Sequence, residues 1–184
     1  MKRVAVLISG RGSNLSALIA AQDDSYKIIL VISNIADAPG LARAAEAGIA
    51  TMTIPHAGKT REIFDAEVDA NLRAAGAQIV VLAGFMRILS DGFVRGWEGA
   101  MINIHPSLLP AYKGLHTHER VLAAGDTRHG CTVHLVTEAL DDGPILGQAE
   151  VPVLPGDDAD ALAARVLIEE HELYPKVLAE LVRR

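Results

Sequence analysis

Val4–Ile8 is apolar without interruption, and so are Ile28–Ile32 and Ile79–Leu82. A strand with one wet face alternates polar and apolar residues, whereas a strand covered on both faces has no use for the polar half. These runs therefore belong inside a parallel sheet, and the segments between them must supply the helices that cover it. Helical spacing duly follows the first two runs, from Asn14 to Ala21 and from Gly40 to Ala47, the latter closed by Gly48. With a shorter strand at Thr51–Ile54 the chain reads βαβαβ, the doubly wound pattern. Thr60 is placed to cap a helix running to about Ala75, with Ile63, Phe64, Val68 and Leu72 on one face. Phe93, Val94 and Trp97 mark a short amphipathic helix before the next strand, Met101–His105.

The second half changes character. Thr132–Val136 alternates, with His134 on the face opposite Val133 and Leu135, and Ile145–Val151 follows as a further strand. Asp157–Tyr174 has the spacing of an amphipathic helix with Leu162, Val166 and Leu173 inward, and Pro175 is expected to end it before a last short helix. The expected fold is a single doubly wound α/β domain over residues 1–184: a mostly parallel, Rossmann-like sheet with helices on both faces and an antiparallel C-terminal extension. Its two halves are expected to divide at about residue 100.

Charge and composition narrow the functional classes. A formal net charge of −6 leaves no basis for a nucleic-acid surface, and no run of like charges suggests a membrane patch. Cys131 is the only cysteine, which excludes an internal disulfide and a cysteine-rich zinc site. The apolar run after Met1-Lys2-Arg3 stops at Ser9-Gly10, too soon for an export signal, and no stretch reaches membrane-spanning length. A cytoplasmic protein with small-molecule partners is expected, as a monomer or a homodimer.

Two stretches carry polar groups where a buried sheet would not need them. Gly10-Arg11-Gly12-Ser13-Asn14 lies between the first strand and the first helix. Glycines there let an anion approach the backbone, and the helix N-terminus favours negative charge. A tight turn capped by Ser13 or Asn14 accounts for the same residues equally well. Leu15 stands where a dinucleotide fingerprint would have a third glycine, so hydride chemistry loses support. Gly58-Lys59-Thr60 imitates the end of a phosphate loop, but its first glycine would fall on Thr53; His56 nearby reads as a solvated loop residue.

The second stretch is Met101–Pro110. Side chains alternate along a strand, so Asn103 and His105 share a face about 6–7 Å apart, and Pro106 then ends the ladder. An amide and an imidazole so placed could both donate to one developing oxyanion, as acyl transfer requires. Two hydrogen-bonded polar residues at a strand end are the bland alternative. Ala83–Leu89, at the end of the fourth strand, could wall a flat heterocycle or merely link to the next helix. The acids of Thr137–Pro144 could hold a proton or form a surface turn. His105, His116, His118 and His134 raise the question of zinc, yet no His-Glu-x-x-His pattern accompanies them and no metal is expected. Ser107 and Cys131 have no base placed beside them by sequence, so neither reads as a nucleophile.

Asn103-Ile104-His105-Pro106-Ser107-Leu108-Leu109-Pro110, together with Ile8-Ser9-Gly10-Arg11-Gly12-Ser13-Asn14, resembles the signature of the folate-dependent formyltransferases. The resemblance runs from Val4 to about Leu178. It implies 10-formyltetrahydrofolate as co-substrate without a metal, and is nearest the branch that formylates the amino group of glycinamide ribonucleotide in purine synthesis. On that resemblance Asn103, His105 and Asp141 are catalytic, and Gly12, Ser13, Asn14 and Glu170 bind the ribonucleotide. Arg87, Leu89, Asn103 and Asp141 contact the folate. His116 would be structural or substrate-side, and His118 and His129 not catalytic. The related pattern Leu-Asp-Gly-Gly-Pro appears here as Leu140-Asp141-Asp142-Gly143-Pro144, so Asp142 is a departure. Two alternatives remain: a deformylase, which uses water as acceptor and carries an additional N-terminal domain, and a non-catalytic phosphosugar-binding module. The methionyl-tRNA branch carries a C-terminal RNA-binding domain, not expected here.

Overall fold

A computed structural model describes residues 1–184. The order is β1 (Lys2–Ile8), α1 (Ser13–Ala20), β2 (Tyr26–Ser33), α2 (Pro39–Glu46), β3 (Ala50–Thr53), α3 (Arg61–Ala74) and β4 (Ile79–Leu82). Then come α4 (Asp91–Gly96), β5 (Met101–His105), α5 (Thr117–Ala124), β6 (Arg128–Leu135), β7 (Ile145–Pro152) and α6 (Ala159–Arg183). All seven strands form one sheet in the order β3-β2-β1-β4-β5-β6-β7. The pairs from β3 to β5 are parallel, and β5–β6 and β6–β7 are antiparallel. The expected mostly parallel sheet with its antiparallel extension is therefore present.

The unbroken apolar runs have the cause inferred for them. Along β1, Val4, Val6 and Ile8 enter a core with Leu15, Leu18, Leu162 and Val166, under α1 and α6. Ala5 and Leu7 enter a second core with Phe64, Val68, Leu72, Phe93 and Trp97, under α3 and α4. On β5, Ile102 and Ile104 face the first core and Met101 the second, so Asn103 and His105 lie on the α3/α4 side. Chain order reverses beside β1, since the chain crosses from β1 to β2 on one side and reaches β4 on the other. Such a switch point opens a crevice at the strand C-termini, where open α/β sheets take their ligands.

Several local expectations need correction. Helix α6 does not end at Pro175 but continues to Arg183. Proline removes one helical hydrogen bond, but buried side chains pin both flanks: the Tyr174 hydroxyl donates towards Leu82 O (2.8 Å) and Ile102 O (3.2 Å), and Val177 and Leu178 are in the core. Ile63 points outward at 58% exposure, since the stripe of α3 that meets the sheet is Phe64, Val68 and Leu72. His56 is half-buried, its Nδ1 3.2 Å from Asn34 Nδ2, and not a free loop side chain. No helix is long and apolar enough to cross a membrane.

Candidate active site

Three loops meet at the C-terminal ends of β1, β4 and β5. The turn after β1 is not a side-chain-capped turn: α1 starts at Ser13, and Gly12 at its N-cap has φ +73° with no side-chain cap. A Cβ on Gly12 would lie 2.7 Å from Gly40 Cα, so α2 presses directly on this turn. The left-handed φ and the close approach both require glycine. Gly40 N–H in turn donates to Gly10 O over 3.1 Å. With no side-chain cap, the first N–H groups of α1 keep the positive end of the helix dipole open at this turn.

Asn14 Nδ2 donates to Glu170 Oε2 on α6 over 2.8 Å, and Asn14 Oδ1 is buried without a partner. Burial raises the Glu170 carboxyl above the usual carboxylate range, opposed by this hydrogen bond. Gly12, Ser13, Asn14 and Glu170, expected from the resemblance to act together, thus form one patch, although Glu170 comes from the C-terminal half. Arg11 is exposed at its edge.

The loop after β4 is tied to the loop after β1. Ser9 N–H donates to Gly84 O (3.1 Å), and Met86 N–H donates to Ser9 Oγ (2.8 Å). Helix α3 grips its far side. Phe64 stacks on Phe85 with centroids 6.3 Å apart, the Arg87 guanidinium lies 5.1 Å from the Phe64 ring centre, and Asp65 accepts from Ser90 N–H over 2.5 Å. Leu89 is buried as an anchor, leaving Met86 (70%) and Ile88 (62%) exposed along the loop. Arg87 Nε is buried without a partner. Arg87 and Leu89 therefore hold the loop from beneath, and Met86 and Ile88, which sequence reasoning did not single out, form its apolar outer surface.

The third cluster is built by the β5–β6 ladder. His105 is 6% exposed, with Nε2 2.9 Å from Tyr112 O and Nδ1 3.4 Å from Asp141 Oδ2. Asp141 takes φ +48°, a conformation that Asp tolerates better than most residues, and Oδ2 accepts from Gly114 N–H over 2.9 Å. Its Oδ1 lies 3.8 Å from His134 Nε2. Asn103 Nδ2 is 3.3 Å from the same His134 nitrogen. The structure thus gathers Asn103, His105 and Asp141 and adds His134, for which the alternation of β6 gave a face but no partner.

The other histidines are elsewhere. His116 is an exposed N-cap residue of α5, and His118 Nδ1 meets His129 Nε2 at 2.9 Å. Asp142 pairs with Lys113 at the rim, which lowers its carboxyl pKa. Cys131 is fully buried, and burial pushes its thiol up to about 12.

The family described as formyl transferase matches residues 2–178. The phosphoribosylglycinamide formyltransferase of Escherichia coli K12 is 51% identical over 180 residues, covering 96% of this chain and 85% of that protein. The trifunctional purine biosynthetic protein adenosine-3 of Drosophila pseudoobscura pseudoobscura is 54% identical over 184 residues. That match covers 97% of this chain and only 14% of the fly protein's length. Among solved structures, phosphoribosylglycinamide formyltransferase from Brucella melitensis superposes with a TM-score of 0.94 at 50% identity, covering 98% of this chain and 95% of that one.

Proposed function

This chain belongs to the formyl transferase family, and from that premise we propose that it transfers a formyl group from 10-formyltetrahydrofolate to the amino group of glycinamide ribonucleotide in purine biosynthesis. The observation that carries the reading is the convergence of Asn103, His105 and Asp141 at the same sheet end as a glycine-built helix N-terminus, with only β4 between β1 and β5. An acceptor that is both a phosphate ester and an amine needs the two together. In this reading Gly12, Ser13 and Asn14 hold the phosphate through the free N–H groups of α1, and Glu170 with Asn14 faces the sugar. The loop from Gly84 to Leu89 holds the folate, its apolar surface against the flat ring and Arg87 and Leu89 as its supports. The two halves of the chain, to about residue 100 and beyond, share the labour, with Glu170 crossing from the second to the first. Such chemistry is that of a cytoplasmic enzyme acting on small molecules.

The chemistry needs no covalent enzyme intermediate. As the acceptor nitrogen bonds to the formyl carbon, the formyl oxygen gains negative charge, and Asn103 Nδ2 and protonated His105 donate to it. Asp141, 3.4 Å from His105 Nδ1, accepts the proton that the amine loses, directly or through water. That proton then passes to N10 as the bond from the carbon to N10 breaks, so the net change is one C–N bond exchanged for another. Donors fixed on a strand do not have to reorganise at that moment.

The test is incubation with formyl folate and glycinamide ribonucleotide while free tetrahydrofolate is followed. Release that depends on the amine supports transfer. Release without it indicates a deformylase, and tight binding of both compounds without release indicates a binding module.

A further inference from the structure

The loop between β5 and α5 touches both His105 and Asp141, and does so with its main chain. Tyr112 O lies 2.9 Å from His105 Nε2, and Gly114 N–H donates to Asp141 Oδ2 over 2.9 Å. A carbonyl oxygen only accepts, so Nε2 must carry a hydrogen whether the ring is neutral or charged. Nδ1, 3.4 Å from Asp141, is then the nitrogen left to take part in the chemistry. Other titratable groups lie near enough to feel the charge of the ring: Asp141 from the loop after β6, His134 from β6 and, further off, His129 from β6 and His118 from α5. None of them hydrogen-bonds to Nε2, which leaves the Tyr112 carbonyl as the group that selects the tautomer.

That carbonyl points where it does because Tyr112 has φ +55°, a conformation in which a Cβ crowds the following carbonyl. Contacts outside the site hold it there. The Tyr112 hydroxyl hydrogen-bonds to the Asp126 carboxylate, and the Arg120 guanidinium lies 5.4 Å from the ring centre. Arg120 Nη1 also donates to two carbonyls that follow Tyr112 in the loop, Lys113 O (2.7 Å) and Leu115 O (3.1 Å). Strain at a functional site persists only where its surroundings over-determine it, and here a carboxylate, a guanidinium and two main-chain bonds do so.

We propose that Tyr112, gripped by Asp126 and Arg120, is a positioning residue whose main-chain carbonyl fixes His105 as the Nε2–H tautomer, so that His105 acts from Nδ1. The inference rests on His105 serving the formyl transfer described above. Its structural half is measurable without substrates.

The experiment compares Tyr112→Ala with Tyr112→Gly in the full-length chain. Both remove the ring, but only alanine keeps the Cβ that opposes φ +55°. Tyr112→Ala is expected to lower kcat about tenfold with little change in either KM, and Tyr112→Gly to lose clearly less. In ¹⁵N-histidine-labelled protein without ligands, recorded at a pH where the ring is neutral, the His105 ring nitrogens, identified by their loss in His105→Ala, should show the Nε2–H pattern. In Tyr112→Ala they should move towards a mixture of tautomers. On a His105→Ala background, Tyr112→Ala should lower kcat no further. Equal losses for alanine and glycine, an undiminished loss on that background, or unmoved nitrogen shifts would each overturn the proposal. Should Tyr112→Ala not fold, Arg120→Gln keeps the ring and must shift kcat and the nitrogen signals in the same direction. If the wild type transfers no formyl group, the functional reading falls and the nitrogen measurement still decides the tautomer.

Discussion

Asn103 and His134 stand opposite one another in the antiparallel β5–β6 pair, with Asn103 Nδ2 3.3 Å from His134 Nε2. The other His134 nitrogen, Nδ1, lies 2.9 Å from Leu135 O and so carries the ring hydrogen, which leaves Nε2 as an acceptor. Burial lowers the His134 pKa and keeps the ring neutral, so that lone pair persists at neutral pH. One hydrogen of the Asn103 amide is thereby held on His134, and the amide plane is fixed with its second hydrogen free for an oxyanion.

Removing His134 should therefore act through Asn103. His134→Ala is expected to lower kcat about tenfold with small changes in KM, the scale of one lost buried hydrogen bond. Asn103→Ala should cost about 10²–10³ in kcat, as should His105→Ala. The double variant of Asn103 and His134 should be no slower than Asn103→Ala alone. Strictly additive losses in that cycle would show that His134 does not work through the amide.

Asp141 and Asp142 separate cleanly in space. Asp141 faces His105 with its side chain 8% exposed, whereas the Asp142 side chain is 56% exposed and paired with Lys113. Asp141→Asn keeps a residue that tolerates φ +48° while removing the charge, and should lower kcat about a hundredfold or more with both substrates still bound. Asp142→Gly should stay within about twofold of wild type, because solvent-exposed pairs are weak and screened. An inactive Asp142→Gly beside an active Asp141→Asn would move the catalytic role by one residue.

Much of this was legible in the chain, for identifiable reasons. Uninterrupted apolar runs such as Val4–Ile8 encode burial on both faces, and the alternation through Met101–His105 put Asn103 and His105 on one face, as found. What was not legible depends on partners distant in sequence. Pro175 reads as a breaker until Tyr174 is seen to anchor on Leu82 O and Ile102 O. Ile63 reads as core until the orientation of α3 is known. His134 acquires meaning only from the register that sets it against Asn103. The Tyr112 carbonyl gave no signal at all, since every residue has one.

Glu170 joins stability to binding. Its carboxyl pKa is raised by burial, so the folded chain holds that proton more tightly than the unfolded chain. The sign follows: its contribution to stability is complete below the ordinary carboxylate pKa and is lost as pH rises through the raised value. Glu170→Gln, which can still accept from Asn14, should raise the melting temperature at neutral pH by a few degrees and flatten the pH dependence above the carboxylate range. If Glu170 faces the ribose as proposed, the same variant should raise KM for glycinamide ribonucleotide by about tenfold and leave the folate KM unchanged. A destabilised Gln variant would contradict the first expectation, and a higher folate KM the second.

The His118–His129 pair sets an opposite pH dependence. Their rings meet edge to face with centroids 5.0 Å apart, one nitrogen of each in hydrogen-bond contact. Burial, then the neighbouring His118 and His105, pushes His129 down from 6.5 to about 4, and burial also lowers His118. The unfolded chain therefore takes up protons first as the solution is acidified. Stability is complete above about 6.5 and is lost as pH falls towards about 4, where a second charge would have to enter the pair. Buried His134 acts in the same direction, so one substitution removes only part of the effect. Thermal unfolding of the wild type should show the midpoint dropping by several degrees across this interval. His129→Gln, which can still hydrogen-bond to His118 but does not titrate, should shallow that drop. Because neither ring belongs to the cluster of Asn103, His105 and Asp141, kcat at neutral pH should change less than twofold. A His129→Gln protein with an unaltered acid limb would place the destabilising protonation on other groups, His134 first among them.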